Sequence, residues 1–305
     1  MPEKVPVKVD DRTLTLTNLT KVLYPESGVT KAEVIDYYTR IAPVLLPHLA
    51  DRPLTVRRFP NGVDAPSFFE KNAPGHRPPW VRTATLPVPG STMDRETIDF
   101  VLVEEQATLV WLGNQAALEL HVPQWKVGSK DEAYDADLLV FDLDPGAPAT
   151  IVECCRVAAL LRAELEADGL SAYPKTSGRK GMQLYAPIAG ATTGATSEYA
   201  KRLAVRLEER HPRLVLSRMA KNLRRGKVFV DWSQNNAAKT TVAPYSLRAA
   251  RLPTVSTPVT WDEIAHCDEE EQLRFTAEDV LERVAEHGDL FADLTTEDTR
   301  APLPE

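Results

Sequence analysis

Two aspartates close an apolar run in the middle of the chain. Asp142 and Asp144 end the sequence DLLVFDLDPG (137–146), which is typical of a buried strand leading into a Pro-Gly turn. Side chains alternate along a strand with a period of two, so both carboxylates should project from one face. Adjacent acids repel each other unless a cation lies between them, and oxygen ligands suit a hard ion such as Mg²⁺ or Mn²⁺. The pattern predicts a metal site, with a pair of exposed strand-end acids as the alternative.

Further polar residues suggest that the site binds and transfers phosphate groups. Asp231 ends another apolar run, and three strand-borne acids could hold two divalent ions, the arrangement that catalyses in-line phosphoryl transfer. The loop SGRKG (177–181) offers a hydroxyl, two cations and approachable backbone amides, which suit a triphosphate. It lacks the spacing of a P-loop, and an ordinary surface turn is the alternative. Lys239 and Arg248 add cations that are compatible with phosphate or sugar contacts.

Local signals predict the elements that position these residues. Thr30 with Glu33, and Thr150 with Glu153, have capping-box spacing ahead of apolar residues at helical intervals. The predicted helices end at Pro47 and at about Asp168. Further helices are expected from about Ala195 to Arg210 and at 277–286, and strands at 54–59, 81–86, 97–103, 137–146, 182–188 and 227–232. This order predicts a sheet covered by helices.

Charge is distributed unevenly over the 305 residues. The formal net charge of −8 argues against a uniformly basic nucleic-acid binder. However, residues 262–305 alone carry a net charge of −12, which leaves residues 1–261 net positive. Residues 201–227 contain ten lysines and arginines against two glutamates, which indicates either a solvated helix face or a surface for a phosphate-rich partner.

Other classes of protein are disfavoured by composition. The three cysteines have neither zinc-site spacing nor the number needed for a disulfide framework, so we expect reduced structural thiols. No stretch approaches the roughly 18 apolar residues of a membrane helix, and the start of the chain lacks a signal-peptide core. We expect a cytoplasmic protein without a membrane partner.

Four ordered motifs, DLLVFDLDPG, TSGRKGMQLY, KVFVDWSQN and APYSLR, closely resemble the polymerase domain of the bacterial non-homologous end-joining ligase LigD. This family is a branch of the archaeo-eukaryotic primase superfamily, and the similarity extends to TNLTKVLYPESGVTK, FFEK and LELHVPQW. The resemblance implies an α/β (α+β) fold with a mixed sheet flanked by helices. We expect a single primase-polymerase domain over 1–305, with an N-terminal α/β module at about 1–110, a catalytic core at about 111–261 and an acidic helical segment at 262–305.

The resemblance also implies a function in DNA repair, with association of the protein with the nucleoid during repair. A domain of this family extends a primer 3′ end at breaks or short gaps in double-stranded DNA, consumes NTPs or dNTPs with a preference for ribonucleotides, and uses two Mn²⁺ or Mg²⁺ ions. It recognises a 5′-phosphate on the downstream strand, and Ku and a separate DNA ligase are candidate partners.

The family's functional positions can be carried over residue by residue. The implied catalytic metal ligands are Asp142, Asp144 and Asp231. The implied nucleotide-binding residues are His121, Ser177, Arg179, Lys180, Gln183, Gln234, Lys239 and Arg248. The implied residues for DNA and its 5′-phosphate are Asn18, Lys21, Lys31, Phe68, Phe69 and Arg224.

The physical chemistry of the residues agrees with several of these roles. Two lysines and an asparagine near a helix N-terminus suit a doubly charged phosphate. Adjacent phenylalanines in a Pro-bounded loop can stack on bases, although core packing is the alternative for at least one of them, and His121 could be a structural histidine. Gln183 replaces the histidine usual in the family and can donate a hydrogen bond but cannot carry a proton charge, which puts rate or nucleotide preference in question.

Two other functions compete with the polymerase interpretation. The sequence FDLD also begins the nucleophile motif of haloacid-dehalogenase-like phosphatases, but Pro145 follows where that motif continues Gly-Thr or similar. A non-catalytic module that binds DNA ends is the third reading, and the presence of acids at all three positions argues against it. We also expect removal of residues 262–305 to strengthen DNA binding, provided that the segment folds independently of the core.

Overall fold

The computed structural model describes residues 4–88 and 95–304, and these ranges contain sixteen strands and six α-helices. The strands are β1 (Lys4–Val9), β2 (Arg12–Thr17), β3 (Val22–Tyr24), β4 (Val29–Thr30), β5 (Thr55–Arg58), β6 (Phe68–Glu70), β7 (Thr83–Pro87), β8 (Thr97–Val101), β9 (Ala117–Val122), β10 (Trp125–Val127), β11 (Ala133–Pro145), β12 (Tyr173–Thr176), β13 (Met182–Ala191), β14 (Val215–Leu216), β15 (Val228–Asp231) and β16 (Thr241–Val242). The helices are α1 (Lys31–Leu49), α2 (Gln106–Asn114), α3 (Ile151–Ala167), α4 (Thr193–Arg210), α5 (Trp261–Ala265) and α6 (Ala277–His287). The mixed α/β class expected from the sequence is confirmed.

The 13-residue strand β11 is the centre of a six-stranded mixed sheet. Its neighbours β13 and β15 run antiparallel to it, β10 pairs with its first residues, and β14 lies parallel to β15 at one edge. Alternation along β11 divides its side chains between two faces. Leu139, Phe141 and Leu143 pack in the cluster that α3 and α4 cover, whereas Leu138 and Val140 pack on the other face.

The second sheet has the order β16-β9-β5-β6 and belongs to a different hydrophobic cluster, which includes the buried side of α1 and residues of α2. The capping boxes predicted at Thr30 and Thr150 are both present, and α3 ends close to the predicted residue. Helix α2 was not predicted, because its apolar residues are nearly continuous and give no helical period. The β1-β2 hairpin was also missed, although KVPVKV and RTLTLT alternate apolar and polar residues as strands do.

Helix α1 continues beyond the two prolines that it contains, so the predicted end at Pro47 is wrong. The helix contains Pro43 and Pro47 and continues to Leu49. A proline inside a helix cannot donate to the carbonyl four residues earlier. The carbonyl oxygen that Pro43 leaves free, on Thr39, accepts a hydrogen bond of 2.9 Å from the side chain of Gln106 instead. Burial of Leu45 and Leu49 then favours continuation of the helix.

The acidic C-terminal segment packs against the rest of the chain. Val280 in α6 joins the cluster around α1, while Phe291 and Leu294 cover Leu138 and Val140 of β11. Asp289 accepts a hydrogen bond of 2.6 Å from the Tyr245 hydroxyl. The segment therefore shares the core of the domain. The prediction that removing residues 262–305 strengthens DNA binding assumed that this segment folds independently, and that condition is not met.

Ion pairs within the protein occupy much of the basic run at 201–227. Arg206 and Arg210 of α4 both pair with Glu164 of α3, and Arg218 pairs with Glu208. These contacts favour the solvated-face interpretation for the helical part of the run. Among the described residues, no helix is long and apolar enough to cross a bilayer.

Candidate active site

Three aspartates meet where β11 and β15 pair. Asp142 and Asp231 are directly opposite each other in the register of the two strands, and Gln183 of β13 is opposite Asp142 on the other side. Asp144 follows two residues along β11 and projects from the same face as Asp142. All three carboxylates are half-buried, at the end of the sheet face that Phe291 and Leu294 leave open.

The surroundings of Asp142 disfavour its charged form. The pKa of Asp142 is raised to about 6, because burial and the charges of Asp231 and Asp144 raise it more than the hydrogen bond from Gln183 lowers it. The Gln183 Nε2 atom donates to Asp142 Oδ1 over 2.9 Å. The charge of Lys175 also lowers this pKa, but among the described residues no cation forms an ion pair with ionised Asp142.

The other two aspartates have partners within the protein. Asp144 Oδ1 lies 2.8 Å from Lys180 Nζ, and Asp144 Oδ2 lies 2.8 Å from Arg224 Nη1. Asp231 accepts hydrogen bonds from the Ser233 hydroxyl at 2.5 Å and from Gln234 Nε2 at 2.8 Å. Lys239 in turn contacts the Ser233 hydroxyl, so this predicted nucleotide residue lies beside Asp231.

The donor set fits a hard divalent cation, although the described residues contain no ready-made cluster of three acidic, histidine or cysteine ligands. Asp142 and Asp231 present carboxylate oxygens across one strand pair, which is the chemistry that Mg²⁺ and Mn²⁺ prefer. The raised pKa of Asp142 reflects a local excess of negative charge. The two oxygens of Asp144 pair with Lys180 and Arg224, so these two cations compete with a metal ion for this carboxylate.

A buried lysine, Lys175, fixes the orientation of the Gln183 amide. Lys175 Nζ donates to Gln183 Oε1 over 2.7 Å and to the Ser256 hydroxyl over 2.6 Å. Since Gln183 Oε1 also accepts from the Tyr185 hydroxyl, the amide nitrogen must face Asp142. Burial, and next the charge of Arg248, hold the pKa of Lys175 well below its usual range. Sequence reasoning missed Lys175, although it immediately precedes the motif TSGRKG.

The loop at 177–181 is folded tightly against the same site. The Ser177 hydroxyl accepts from the backbone N–H groups of Arg179 and Gly181, both over 3.3 Å. Gly178 has a φ of +68°, and a Cβ there would lie 2.5 Å from the Arg248 side chain. Glycine is therefore required at position 178, where the loop packs against Arg248. The fold also brings the Ser177 hydroxyl close to the backbone amides of Arg179 and Gly181, as the sequence suggested.

Glu119, another residue that sequence reasoning missed, is the centre of the cationic half of the site. Its carboxylate is almost completely buried and contacts four cationic or titratable side chains, which are Arg57 (3.9 Å), His121 (3.1 Å), Arg179 (3.1 Å) and Arg248 (3.5 Å). Burial alone would raise the pKa of Glu119, but the His121 hydrogen bond and the charges of Arg248 and Arg179 lower it to about 2.

This cluster keeps an excess of positive charge for an anionic ligand. The Nε atom of Arg248 is buried without a hydrogen-bond partner among the described residues, and burial lowers the pKa of this guanidinium. Burial also lowers the pKa of His121 despite the neighbouring Glu119, which favours the neutral form of the ring. Three arginines share one carboxylate, which leaves charge available for a triphosphate.

Phe68 and Phe69 are exposed on opposite faces of β6. Phe69 is 60% exposed and lies edge-on to His121, with ring centroids 5.7 Å apart, while Arg57 stacks on it at 5.5 Å. Phe68 is 45% exposed and stacks with Arg58 at 5.3 Å. Neither ring is a core residue, so the core-packing alternative is wrong for both. Phe69 faces the Glu119 cluster, and Phe68 faces away from it.

The predicted 5′-phosphate residues form a separate group beside α1. Lys31 is the first residue of α1, and its Nζ donates to the Asn114 carbonyl over 2.8 Å. Lys21 Nζ donates to Asn61 Oδ1 over 2.8 Å, and Asn18 precedes this turn with a φ of 53°. Burial and then the charge of Lys21 lower the pKa of Lys31 to about 8.

Three tyrosines connect the N-terminal part of the chain to the backbone around Arg248. The Tyr24 hydroxyl donates to the Arg248 carbonyl over 3.0 Å, and the Tyr37 hydroxyl donates to the Tyr245 carbonyl over 2.8 Å. The Tyr38 hydroxyl accepts from the Leu247 N–H over 3.3 Å. Helix α1 therefore carries Lys31 at its start and anchors the Arg248 segment near its middle.

Comparisons with known proteins agree with this architecture. The family model described as "LigD, primase-polymerase domain" matches residues 30–291. The chain is 47% identical over 289 residues to the multifunctional non-homologous end joining protein LigD of Mycolicibacterium smegmatis, covering 94% of this chain and 36% of that protein. It is 33% identical over 293 residues to the bifunctional protein of that name from Bacillus subtilis, covering 95% of this chain and 45% of that protein.

A solved structure is similar over nearly its whole length. The polymerase domain of Mycobacterium tuberculosis ligase D in complex with DNA superposes with a TM-score of 0.87 at 43% identity, covering 92% of this chain and 98% of that one. The chain thus spans less than half of the length of these full-length relatives but almost all of the isolated domain. The resemblance seen in the motifs is confirmed, and the chain belongs to the LigD primase-polymerase domain family of DNA-directed nucleotidyltransferases.

Proposed function

We propose that this domain extends a primer 3′ end at DNA breaks or short gaps during non-homologous end joining. The observation that carries the proposal is the juxtaposition of three aspartates on paired strands with a cationic cluster around Glu119. Carboxylates for divalent ions on one side and arginines for a triphosphate on the other are the two requirements of nucleotidyl transfer.

Asp142, Asp144 and Asp231 are proposed to hold two Mn²⁺ or Mg²⁺ ions. When bound, such ions activate the primer hydroxyl and stabilise the charge that develops on the transferred phosphate. Within the protein, Gln183 and Lys175 fix the direction of the Asp142 carboxylate, and Ser233 and Gln234 fix that of Asp231. The chain thus orients its oxygen ligands through a second layer of hydrogen bonds.

The incoming NTP or dNTP is proposed to bind at the cationic side. The residues for this role are His121, Ser177, Arg179, Lys180, Gln183, Gln234, Lys239 and Arg248. Hydrogen bonds connect the loop at 177–181 to Thr254, to Ala249 beside Arg248, and to Pro145 at the end of β11, which supports a common binding site. A triphosphate carries enough charge to draw Lys180 away from Asp144, which would free one oxygen of that carboxylate.

The DNA is proposed to contact Phe68, Phe69 and Arg224, and its downstream 5′-phosphate to bind Asn18, Lys21 and Lys31. The exposure of both phenyl rings supports stacking on bases, which contributes roughly 1–3 kcal/mol per base. The lysine pair supports a doubly charged phosphate. The ribonucleotide preference, and work alongside Ku and a separate DNA ligase, are proposed on the family resemblance.

The test is nucleotide incorporation on a gapped duplex with a 5′-phosphate, comparing ribonucleotides with deoxyribonucleotides and Mn²⁺ with Mg²⁺. Asp142→Ala combined with Asp144→Ala should abolish extension, while Asp135→Ala, an exposed aspartate on the same strand, should not. Extension that survives the double substitution would refute the site assignment.

Two outcomes would favour the competing functions. DNA binding by the wild type without incorporation under either metal would indicate a non-catalytic end-binding module. Release of phosphate from a small phosphomonoester in the absence of DNA would indicate a phosphatase that uses Asp142 and Asp144. Among the described residues, no contact favours either of these functions over polymerisation.

A further inference from the structure

The two oxygens of the Glu119 carboxylate contact different parts of the molecule. Oε1 accepts from Arg179 Nη2 and from the Ala249 N–H, each over 3.1 Å, and lies 3.5 Å from Arg248 Nε. Oε2 lies 3.1 Å from His121 Nε2 and 3.9 Å from Arg57 Nη1. The first oxygen therefore faces the proposed triphosphate site, and the second faces the side chains around Phe69.

Strand register places Glu119, Arg57 and Phe69 in one row. Arg57 of β5 is opposite Glu119 of β9 on one side and opposite Phe69 of β6 on the other. Residues that are directly opposite on adjacent strands project from the same face of a sheet. The row thus leads from a buried carboxylate, through a half-buried guanidinium, to an exposed aromatic ring.

We propose that Glu119 is a positioning residue that couples occupation of the triphosphate site to the binding of a DNA end at Phe69. The inference rests on the proposed function, because it assumes that Arg179 and Arg248 receive phosphate and that Phe69 receives a base. An anion that draws the two arginines toward itself leaves the Glu119 charge less compensated. The carboxylate then holds His121 and Arg57 more firmly, and these two side chains fix the Phe69 ring.

The proposed coupling between triphosphate and DNA binding is positive, whereas charge alone predicts competition between the two ligands. Two polyanions that share a basic surface compete, so a bound triphosphate should weaken DNA binding if only net charge matters. If Glu119 acts as proposed, a bound triphosphate instead strengthens DNA binding. Linkage requires the reverse effect to have the same magnitude, so DNA also strengthens triphosphate binding.

Inorganic tripolyphosphate is the probe that isolates this effect. It has neither base nor sugar, so pairing with a template and stacking on a primer cannot produce coupling. The affinity of the whole domain for fluorescein-labelled duplex DNA is measured by anisotropy in EDTA, with and without saturating tripolyphosphate, at ionic strength matched with NaCl. We expect wild-type DNA affinity to increase about fivefold, at the lower end of typical coupling between sites.

Glu119→Gln keeps the volume of the side chain and removes its charge, so the increase should disappear and ordinary competition should remain. Arg57→Gln, at a half-buried position where folding is not at risk, should also abolish the increase. Arg58→Gln is the matched control, since Arg58 lies next in β5 and stacks on Phe68 but pairs with Glu70. It should lower DNA affinity and retain the fivefold effect.

An unchanged or weakened DNA affinity in wild-type protein with tripolyphosphate would overturn the inference. An increase that persists in both Glu119→Gln and Arg57→Gln would overturn it as well. The assay contains no divalent metal and no substrate for extension, so either result leaves the proposed polymerase function to be judged by incorporation on the gapped duplex. If wild-type protein extends primers normally but shows no coupling, only the inference fails.

Discussion

Asparagine at position 142 should make the metal-free protein more stable while abolishing its chemistry. Asp142 is half-buried, faces Asp231 across the strand pair and has Gln183 as its hydrogen-bond donor. Asparagine keeps the shape and the acceptor oxygen that receives the Gln183 hydrogen bond, but it removes a charge that has no cation beside it. A site arranged to bind metal is commonly strained without it, so removing the charge relieves that strain.

The magnitude follows from the shift in pKa. The pKa of Asp142 is raised from 3.8 to about 6 in the folded protein. At 1.36 kcal/mol per pKa unit, ionised Asp142 lowers the free energy of unfolding by about 3 kcal/mol above pH 6. A raised pKa means that the folded protein takes up the proton first as the pH falls. The cost is therefore fully present above pH 6 and disappears as the pH falls below the unfolded value of 3.8.

Urea unfolding in EDTA measures the difference between Asp142→Asn and wild type. The variant should gain about 3 kcal/mol near pH 7.5, and the gain should fall below about 1 kcal/mol near pH 4. Asp144→Asn is the control, because Asp144 pairs with Lys180 and Arg224 and its replacement should give no such gain. Excess Mn²⁺ should stabilise wild type and not Asp142→Asn. A gain of equal size at both pH values would show that the charge of Asp142 is not its source.

Three further predictions concern other parts of the molecule. The pKa of Lys31 is about 8, so this side chain loses its charge between a pH of about 7 and about 9. Over that range, a binding titration should show a several-fold smaller preference for 5′-phosphorylated over 5′-hydroxyl gapped DNA. Lys31→Arg should retain the preference at both pH values. A preference that stays constant in wild type would contradict a role for the Lys31 charge. Arg224→Gln removes one of the two cations that pair with Asp144, so the variant should bind Mn²⁺ more tightly than wild type in the absence of DNA. Electron paramagnetic resonance measures this affinity. Unchanged or weaker binding would argue against competition between Arg224 and the metal ion. Phe291→Ala should lower the free energy of unfolding by about 3–5 kcal/mol, because Phe291 is a fully buried part of the C-terminal segment, and a loss below about 1 kcal/mol would show that the segment contributes little to the core.

The aspartate face of the site could be predicted from the sequence because its geometry is local. Alternation along one strand places Asp142 and Asp144 on the same face, whatever the rest of the chain does. The position of Asp231 opposite Asp142 depends on the register of two strands that are far apart in the sequence. The place of Asp231 at the end of another apolar run made it a candidate, the motif resemblance implied its role, and the strand register explains how it reaches Asp142.

The cationic face could be predicted only in part. His121, Arg179 and Arg248 were identified, but their common partner Glu119 was not, because its partners lie on segments that only tertiary structure brings together. A glutamate within the apolar strand ALELHV, two residues before a histidine on the same face, was the available signal. A charge on such a strand is unusual without partners, and the sequence does not identify them.

Helix α1 was predicted from its capping box, but its length was underestimated. A proline normally indicates the end of a helix because of the hydrogen bond that it removes. Here the carbonyl oxygen freed by Pro43 is occupied by Gln106, a residue 67 positions away along the chain from Thr39. Whether a proline ends a helix thus depends on a tertiary contact, which no local pattern encodes.

The unbroken helix α1 holds the Lys31 group and the Arg248 segment at a fixed separation. Lys31 in its first turn belongs to the predicted 5′-phosphate group, and Tyr37 and Tyr38 hold the segment that carries Arg248. At a rise of 1.5 Å per residue, these two points lie about 10 Å apart along the helix axis, close to three stacked nucleotides of one DNA strand. If the 5′-phosphate and triphosphate bind where we propose, backbone geometry sets the distance between the downstream end of a gap and the nucleotide being added. A kink within this stretch would then change that distance while leaving each proposed binding group intact.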